Sequence, residues 1–431
     1  MVSVKAKKLA PTDGMLSRHA AAPAASGWAD VARASARARL ETVGAPQRRD
    51  EYWSFTNPTR FVSDQPTAAQ PLVTDEAAIF ADADALVLTF VDGVFDAAQS
   101  GDLSVEGLEI QSLTDALGTD IHWAKDLFGV LEERGQNPVP RELAMLNTAV
   151  ATQGFVLRAT KPVARPVRFN YVQSSDTSDA VMHSLVKVDA GASLTVLESG
   201  TVAARCNTVM EIDIADNGEF HHVRAQGRAH DRQVFTAMFA RLGKESVYKS
   251  FTLSMNGVLT RNEQVVEFTG DDAMAHVAGT CVGQGDFHHD DTVFVTHDAV
   301  NCESRQVFKK VLKSGATGVF QGKILVKKGA QKTDGYQISQ GLLLDDEVNF
   351  LAKPELEIYA DDVICSHGST SGGLDATGLF YLLSRGVPRP AATNMLVIAF
   401  MDEAVQEIAD DTLADEMRAH IAGWLDRHSE G

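Results

Sequence analysis

Between about Gly154 and Gly368, short apolar runs alternate with polar residues. Examples are Leu185-Val-Lys-Val188, Leu194-Thr-Val-Leu197, Val209-Met-Glu-Ile-Asp-Ile214, Val293-Phe-Val295 and Gly322-Lys-Ile-Leu-Val326. A period of two predicts strands with one face turned to a core. Turn residues punctuate them at Asp189-Ala-Gly-Ala, Asp216-Asn-Gly, Leu242-Gly-Lys, Thr269-Gly-Asp, Ser314-Gly-Ala and Lys328-Gly-Ala. Gly191, Gly218, Gly243 and Gly270 follow one another at 27, 25 and 27 residues. No clear helical stretch interrupts the zone, which argues against a doubly wound βαβ sheet. Roughly constant spacing predicts a coil of stacked rungs, each burying its face against its neighbours. An antiparallel sandwich competes with this reading, because turn spacing carries no strand direction.

Both flanks read as helical. Upstream, a helix is expected around Trp28–Leu40, and Asp126–Arg134 and Pro140–Ala149 carry helical spacing, with proline at the first position of the last. Downstream, Val397, Met401, Val405 and Ile408 form one apolar stripe, and Leu413, Met417, Ile421, Trp424 and Leu425 form a second. The chain therefore divides into a helix-rich region 1–150, a β core 151–370 and a helical region 371–431. Two helices bury little by themselves, so part of the last region is also a candidate docking surface.

Composition prunes the functional classes. The 431 residues hold 44% hydrophobic and 23% charged positions, ordinary values for a folded globular chain. With 39 Lys+Arg against 58 Asp+Glu, the net charge is −19, which repels nucleic-acid backbones and anionic lipid. No apolar run approaches the ~20 residues of a membrane span. Residues 1–40 contain seven Lys/Arg and two acids, Asp13 and Asp30. That composition suits either an organelle transit peptide or a plain amphipathic helix, and lacks the apolar stretch of a secretory signal. Cys206, Cys281, Cys302 and Cys365 are scattered, as expected in a reducing, cytoplasmic compartment.

The motif search is mostly negative. Gly318-Val-Phe-Gln-Gly322-Lys has the wrong spacing for a P-loop and lacks the hydroxyl after its lysine, so no nucleotide site is expected on this chain. Gly283-Gln-Gly285 lacks the rest of a dinucleotide fingerprint, and there is no GxSxG or HExxH. Two candidates remain. Asp286-Phe-His-His-Asp-Asp291, followed by His297 and Asp298, is dense enough in donors for a metal, but matches no fixed ligand spacing. A polar turn between two strands is the preferred reading of this segment. The second is Ile358-Tyr-Ala-Asp-Asp-Val-Ile-Cys-Ser-His-Gly368. Read as a strand, it puts Asp361, Val363, Cys365 and His367 on one face, with thiol and imidazole roughly 6–7 Å apart. Those donors suit iron–sulfur or zinc chemistry, and two donors do not close a site. The remainder would come from elsewhere, including another subunit.

At this segment the chain resembles a known family. Gly318-Val-Phe-Gln-Gly-Lys323, Gln331-Lys-Thr333, Leu342-Leu-Leu344, Pro354-Glu-Leu-Glu-Ile358, Ala360-Asp-Asp-Val363, Cys365-Ser-His-Gly368 and Phe380-Tyr-Leu-Leu-Ser-Arg-Gly386 resemble the SufB/SufD family of iron–sulfur cluster assembly proteins. Glu51-Tyr-Trp-Ser-Phe-Thr56, Leu146-Asn-Thr-Ala149 and the chain length resemble its SufD branch. The resemblance covers about residues 45–410. It implies a right-handed parallel β-helix core flanked by helical regions, and a non-catalytic scaffold that pairs with a SufB-like paralogue through the β-helix edge. It further implies that a SufC-like ATPase docks on the C-terminal helices, with a nascent cluster held transiently and shared with the partner. His367 matches a family histidine at that interface and Cys365 the neighbouring cysteine, so these two are the expected cluster-assembly and metal donors. A reduced flavin in the complex, and a homodimer in the partner's absence, are compatible with the same resemblance. Two other classes stay open on the residues alone: a carbohydrate-active β-solenoid enzyme, and a self-contained metalloprotein built on His288, His289 and His297.

Overall fold

The computed structural model describes residues 11–19, 22, 25–72, 78–226 and 230–428. Its centre is a parallel β-solenoid in which successive strands belong alternately to a ten-stranded and a nine-stranded sheet. Asp179 pairs with Arg205, Arg205 with Gln233 and Gln233 with Leu259, so each rung repeats the register of the one before. Strand pairing is parallel except at the first rung, where Val94–Phe95 and Leu108–Ser112 pair antiparallel with their neighbours. This settles the topology as a solenoid rather than a sandwich. The sheets also reach upstream of residue 151, through strands Leu86–Val91, Val94–Phe95 and Leu108–Ser112.

Three apolar layers hold the molecule together. The lumen between the sheets is filled by inward residues such as Leu157, Val186, Ile212, Phe220 and Phe268. The outer face of the nine-stranded sheet packs Val209, Phe235 and Phe239 against the N-terminal helices, through Leu40, Leu131 and Leu146. The outer face of the ten-stranded sheet packs Val223, Phe251 and Val307 against Val397, Met401, Met417 and Trp424 of the C-terminal helices Arg389–Val405 and Asp411–His428. Middle strands are thus buried on both faces, as in strand Gln233–Leu242. This is why the alternation in the sequence is imperfect: residues on both faces must be compatible with burial.

The helical flanks differ in detail from the sequence reading. The helix expected at Trp28–Leu40 is found as Gly27–Val43. The stretch Asp126–Arg134 is broken, because Gly129 adopts φ 73°: Asp126 ends a short 3-10 turn, Trp123–Asp126, and only Val130–Arg134 is α-helical. Its first turn is capped by the buried Glu211 carboxylate of the solenoid, which accepts from the amides of Gly129 (2.5 Å), Leu131 (2.7 Å) and Glu132 (3.0 Å). Pro140 lies ahead of the helix Glu142–Val150 rather than at its first position. Leader-like basic residues Lys5, Lys7 and Lys8 lie outside the described residues. No helix among the described residues is long and apolar enough to cross a membrane.

Candidate functional site

Cys365 and His367 lie on the last strand, Ile364–Gly372, at the free edge of the ten-stranded sheet. That strand pairs only with Asp334–Leu343. The nine-stranded sheet ends beside it, on strand Asn349–Ile358. The segment 355–367 is therefore not one strand. A turn through Asp361 and Val363 joins two terminal strands, so these residues do not share a strand face with Cys365 and His367. The rim has two unfinished edges instead of one.

Register fixes which way the last strand faces. Cys365 pairs with Gly335, His367 with Gln337 and Ser369 with Ser339. Gly335, Gln337, Ser339 and Gly341 are buried while Tyr336, Ile338 and Gln340 between them are half-buried, so the first set faces the lumen. Cys365, His367 and Ser369 consequently line the lumen's open mouth. Across it stand Phe350 and Leu356 of the opposite sheet, packed on the apolar interior. Cys365 packs beside Ile324, Val326 and Ala330. His367 is exposed. Outside the mouth runs an apolar fringe: Ile358, Tyr359 and Ile364 are 40%, 60% and 72% exposed.

Burial pushes the Cys365 thiol above its ordinary pKa; the Gly335 amide opposes the shift and the Asp334 carboxylate adds to it. At neutral pH the group is a thiol, and a soft metal is needed to hold it as thiolate. The other three cysteines are buried, and burial pushes Cys206 and Cys281 up to about 12. Cys365 is thus the one thiol of the four that is open to solvent. Among the described residues no group of three or more His, Cys, Asp or Glu side chains is arranged to hold a metal. The Cys365–His367 pair is at most half a site.

The other histidine-rich segment is neither a polar turn nor a metal cluster. It forms strand His288–His297, whose alternation sends His289, Asp291 and His297 inward and His288 and Asp290 outward. Lys310 donates to Asp291 Oδ2 at 2.5 Å and lies 2.9 Å from His289 Nδ1. Burial, with Lys310 beside it, depresses the His289 pKa well below its usual value. His289 is therefore neutral, with Nδ1 accepting from the ammonium, and has no lone pair free there for a metal. His297, far along the strand, stacks on Phe268 and bonds Ser304 at 2.8 Å. Outward, Asp290 accepts from Arg261 (2.6 Å) and Thr56 (2.5 Å), which ties down the N-terminal region. The P-loop-like glycines Gly318 and Gly322 sit within strand Thr317–Val326.

Two features escape sequence reasoning. The Glu51–Thr56 motif lies along the outer face of the nine-stranded sheet and reaches its last strand. There the Tyr52 hydroxyl donates to Glu355 (2.6 Å), Lys353 pairs with Glu51 (2.7 Å) and also sits over the Tyr52 ring (3.9 Å). No local signal announces contacts some 300 positions apart. The other is the polar lumen itself, in which Glu198 accepts from Tyr171 (2.7 Å) and Arg224 (2.6 Å) and pairs with His222 (2.7 Å). Polar residues at inward positions of apolar strands are its only trace in the sequence. On the C-terminal helices, Phe380 and Tyr381 of helix Ala376–Ser384 are 73% and 56% exposed.

Residues 171–400 match the family described as "SUF system FeS cluster assembly, SufBD core domain". An iron–sulfur cluster assembly SufBD family protein of Synechocystis is 29% identical over 412 residues, covering 89% of this chain and 88% of its own. The iron–sulfur cluster assembly protein SufD of Escherichia coli is 25% identical over 405 residues, covering 90% and 91% respectively. SufD of Bacillus subtilis is 26% identical over 275 residues, covering 62% of this chain and 63% of its own.

Proposed function

Because the chain belongs to the SufBD family of iron–sulfur cluster assembly proteins, we propose that it serves as a SufD-like scaffold without a catalytic step of its own. In this reading the open mouth of the solenoid joins the corresponding edge of a SufB-like partner. His367, with Cys365 beside it, supplies donors to a nascent cluster that the partner's residues complete. The cluster is cargo, held only until transfer. The region 371–431, carrying exposed Phe380 and Tyr381, receives a SufC-like ATPase, and the core 151–370 with the helix-rich region 1–150 forms the rigid body between the two interfaces. A reduced flavin, where present, belongs to the assembled complex, and the expected setting is the cytoplasm.

One observation carries the reading: both sheets end at the same place with unpaired edges, and the inward side chains there are a thiol and an imidazole. An uncovered strand is a template for another chain. Exposed apolar residues flanking it mark an interaction surface. Joining two such edges covers the rim and brings two half-sites together. The test is His367→Ala in a complex reconstituted with SufB-like and SufC-like partners. The complex should still assemble but lose at least tenfold in cluster formation. Full cluster formation by the variant overturns the site.

A further inference from the structure

The last three inward positions of one lumen column are Gln306, Gln337 and His367, in direct register on adjacent parallel strands. Gln337 Nε2 donates to Gln306 Oε1 at 2.9 Å, so the two amides form a ladder along the solenoid axis. Both side chains are fully buried. Gln337 is pressed against the backbone of Gly322, where an added Cβ would lie 2.4 Å from its Nε2; no side chain from the opposite sheet fits between. Its other amide atom, Oε1, is buried and has no hydrogen-bond partner. Buried amide oxygens are rarely left so. The rung that follows Gln337 is that of His367, whose side chain is exposed. One column away, the same two strands already make this kind of bond: Ser339 Oγ and Ser369 Oγ are 2.7 Å apart.

We propose that Gln337 is a positioning residue for His367. Its Oε1 accepts a hydrogen bond from one ring N–H of the imidazole, completing the ladder Gln306–Gln337–His367. A neutral imidazole has one N–H and one lone pair, so fixing the N–H toward the lumen fixes the lone pair on the nitrogen turned out of the mouth. A histidine that ligates a metal ordinarily gives its second N–H to such an acceptor. Gln337 thereby presents His367 in the one tautomer and orientation suited to a partner's metal or proton. This assignment rests on the reading of His367 as the rim's working residue.

The experiment uses full-length protein labelled with 15N in its histidine rings, with the His367 signals assigned by their disappearance in His367→Ala. The two ring nitrogens should report a single tautomer for His367 in the native chain. Gln337→Met keeps the volume and removes the acceptor, so it should give a tautomer mixture. Gln337→Glu keeps an acceptor at the same place, so it should restore the single tautomer. Mixed tautomers in the native chain, or a Gln337→Met spectrum identical to native, overturn the proposal. The first of these needs no Gln337 variant to fold. Loss of the tautomer preference is read without partners, whereas the scaffold reading fails through an active His367→Ala complex, so the two failures are told apart.

Discussion

The two ends of the solenoid solve the same problem in opposite ways. At the N-terminal end the chain finishes itself. Val94–Phe95 and Leu108–Ser112 close the two sheets with antiparallel pairs, and Phe90, Phe95, Phe155 and Phe169 plug the lumen, mostly edge to face, with ring centroids between 4.8 and 6.4 Å. At the C-terminal end both sheets stop in parallel strands, and the lumen ends in Cys365, His367 and Ser369. Repeat folds need terminal units whose outer side tolerates water. The open end meets that need partly through charge, since Lys353, Glu355 and Glu357 stud the strand Asn349–Ile358 and discourage stray pairing there. Pro354 also removes a donor from that edge. The strand Ile364–Gly372 carries neither charge nor proline beyond its single histidine, which leaves it the better template. The two ends thus differ in closure, and the open one leaves the backbone polar atoms of its last strand without a ladder partner among the described residues.

The comparison breaks most visibly at the closed end. Phe155 is fully buried among Phe90, Phe95 and Phe169. Phe155→Ala removes an aromatic from a plugged lumen and leaves a void, at a cost of about 3–5 kcal/mol. Urea unfolding of the purified chain should show a midpoint shifted accordingly. A loss below about 1 kcal/mol would mean that the plug does not hold the end shut.

At the open end the same kind of change should act on association and leave folding nearly untouched. Ile364 is 72% exposed on the last strand, so Ile364→Lys discards little buried area within the monomer. Its effect on unfolding should stay within about 0.5 kcal/mol, as for ordinary surface positions. A lysine on an edge strand opposes strand addition, however. Sedimentation of the chain with a SufB-like partner should show affinity weakened at least tenfold, about 1.4 kcal/mol. Unchanged affinity would show that this edge is not where the second chain adds.

How much of this was legible in the sequence follows from the same contrast. Turn residues at near-constant spacing reported the rungs, because a solenoid repeats the same local event. Cys365 and His367 were visible because a C-x-H triplet within matching family blocks is local. The boundary between the last two strands was not, since the turn at Asp361–Val363 is polar and extended residues continue on both sides. His289 looked like a ligand because density of donors is a local signal. The Lys310 ammonium that occupies it arrives from the next rung of the other sheet, 21 positions away. Gln337 carried no signal at all: a glutamine in a strand reads as solvent-facing until register places it in the lumen.

The smallest expected effect leaves the fold alone and reads only access. Four cysteines sample the solenoid from end to end: Cys206, Cys281 and Cys302 are at most 1% exposed, and Cys365 lies half-buried at the mouth. Iodoacetamide attacks thiolate, so each site's rate is the product of access and ionised fraction. Burial raises the Cys365 pKa, which lowers its thiolate fraction at neutral pH and slows it relative to a free cysteine. Burial pushes Cys206 and Cys281 up to about 12 and Cys302 to about 11, and closes off access as well. Native protein at pH 7.5 should therefore take up one label, at Cys365, with a rate that climbs as pH rises toward 9. Peptide mapping after partial reaction distinguishes the sites. Labelling of Cys206 or Cys281 at a comparable rate would mean that the lumen opens from its middle, and the two ends would no longer differ in the way their side chains indicate.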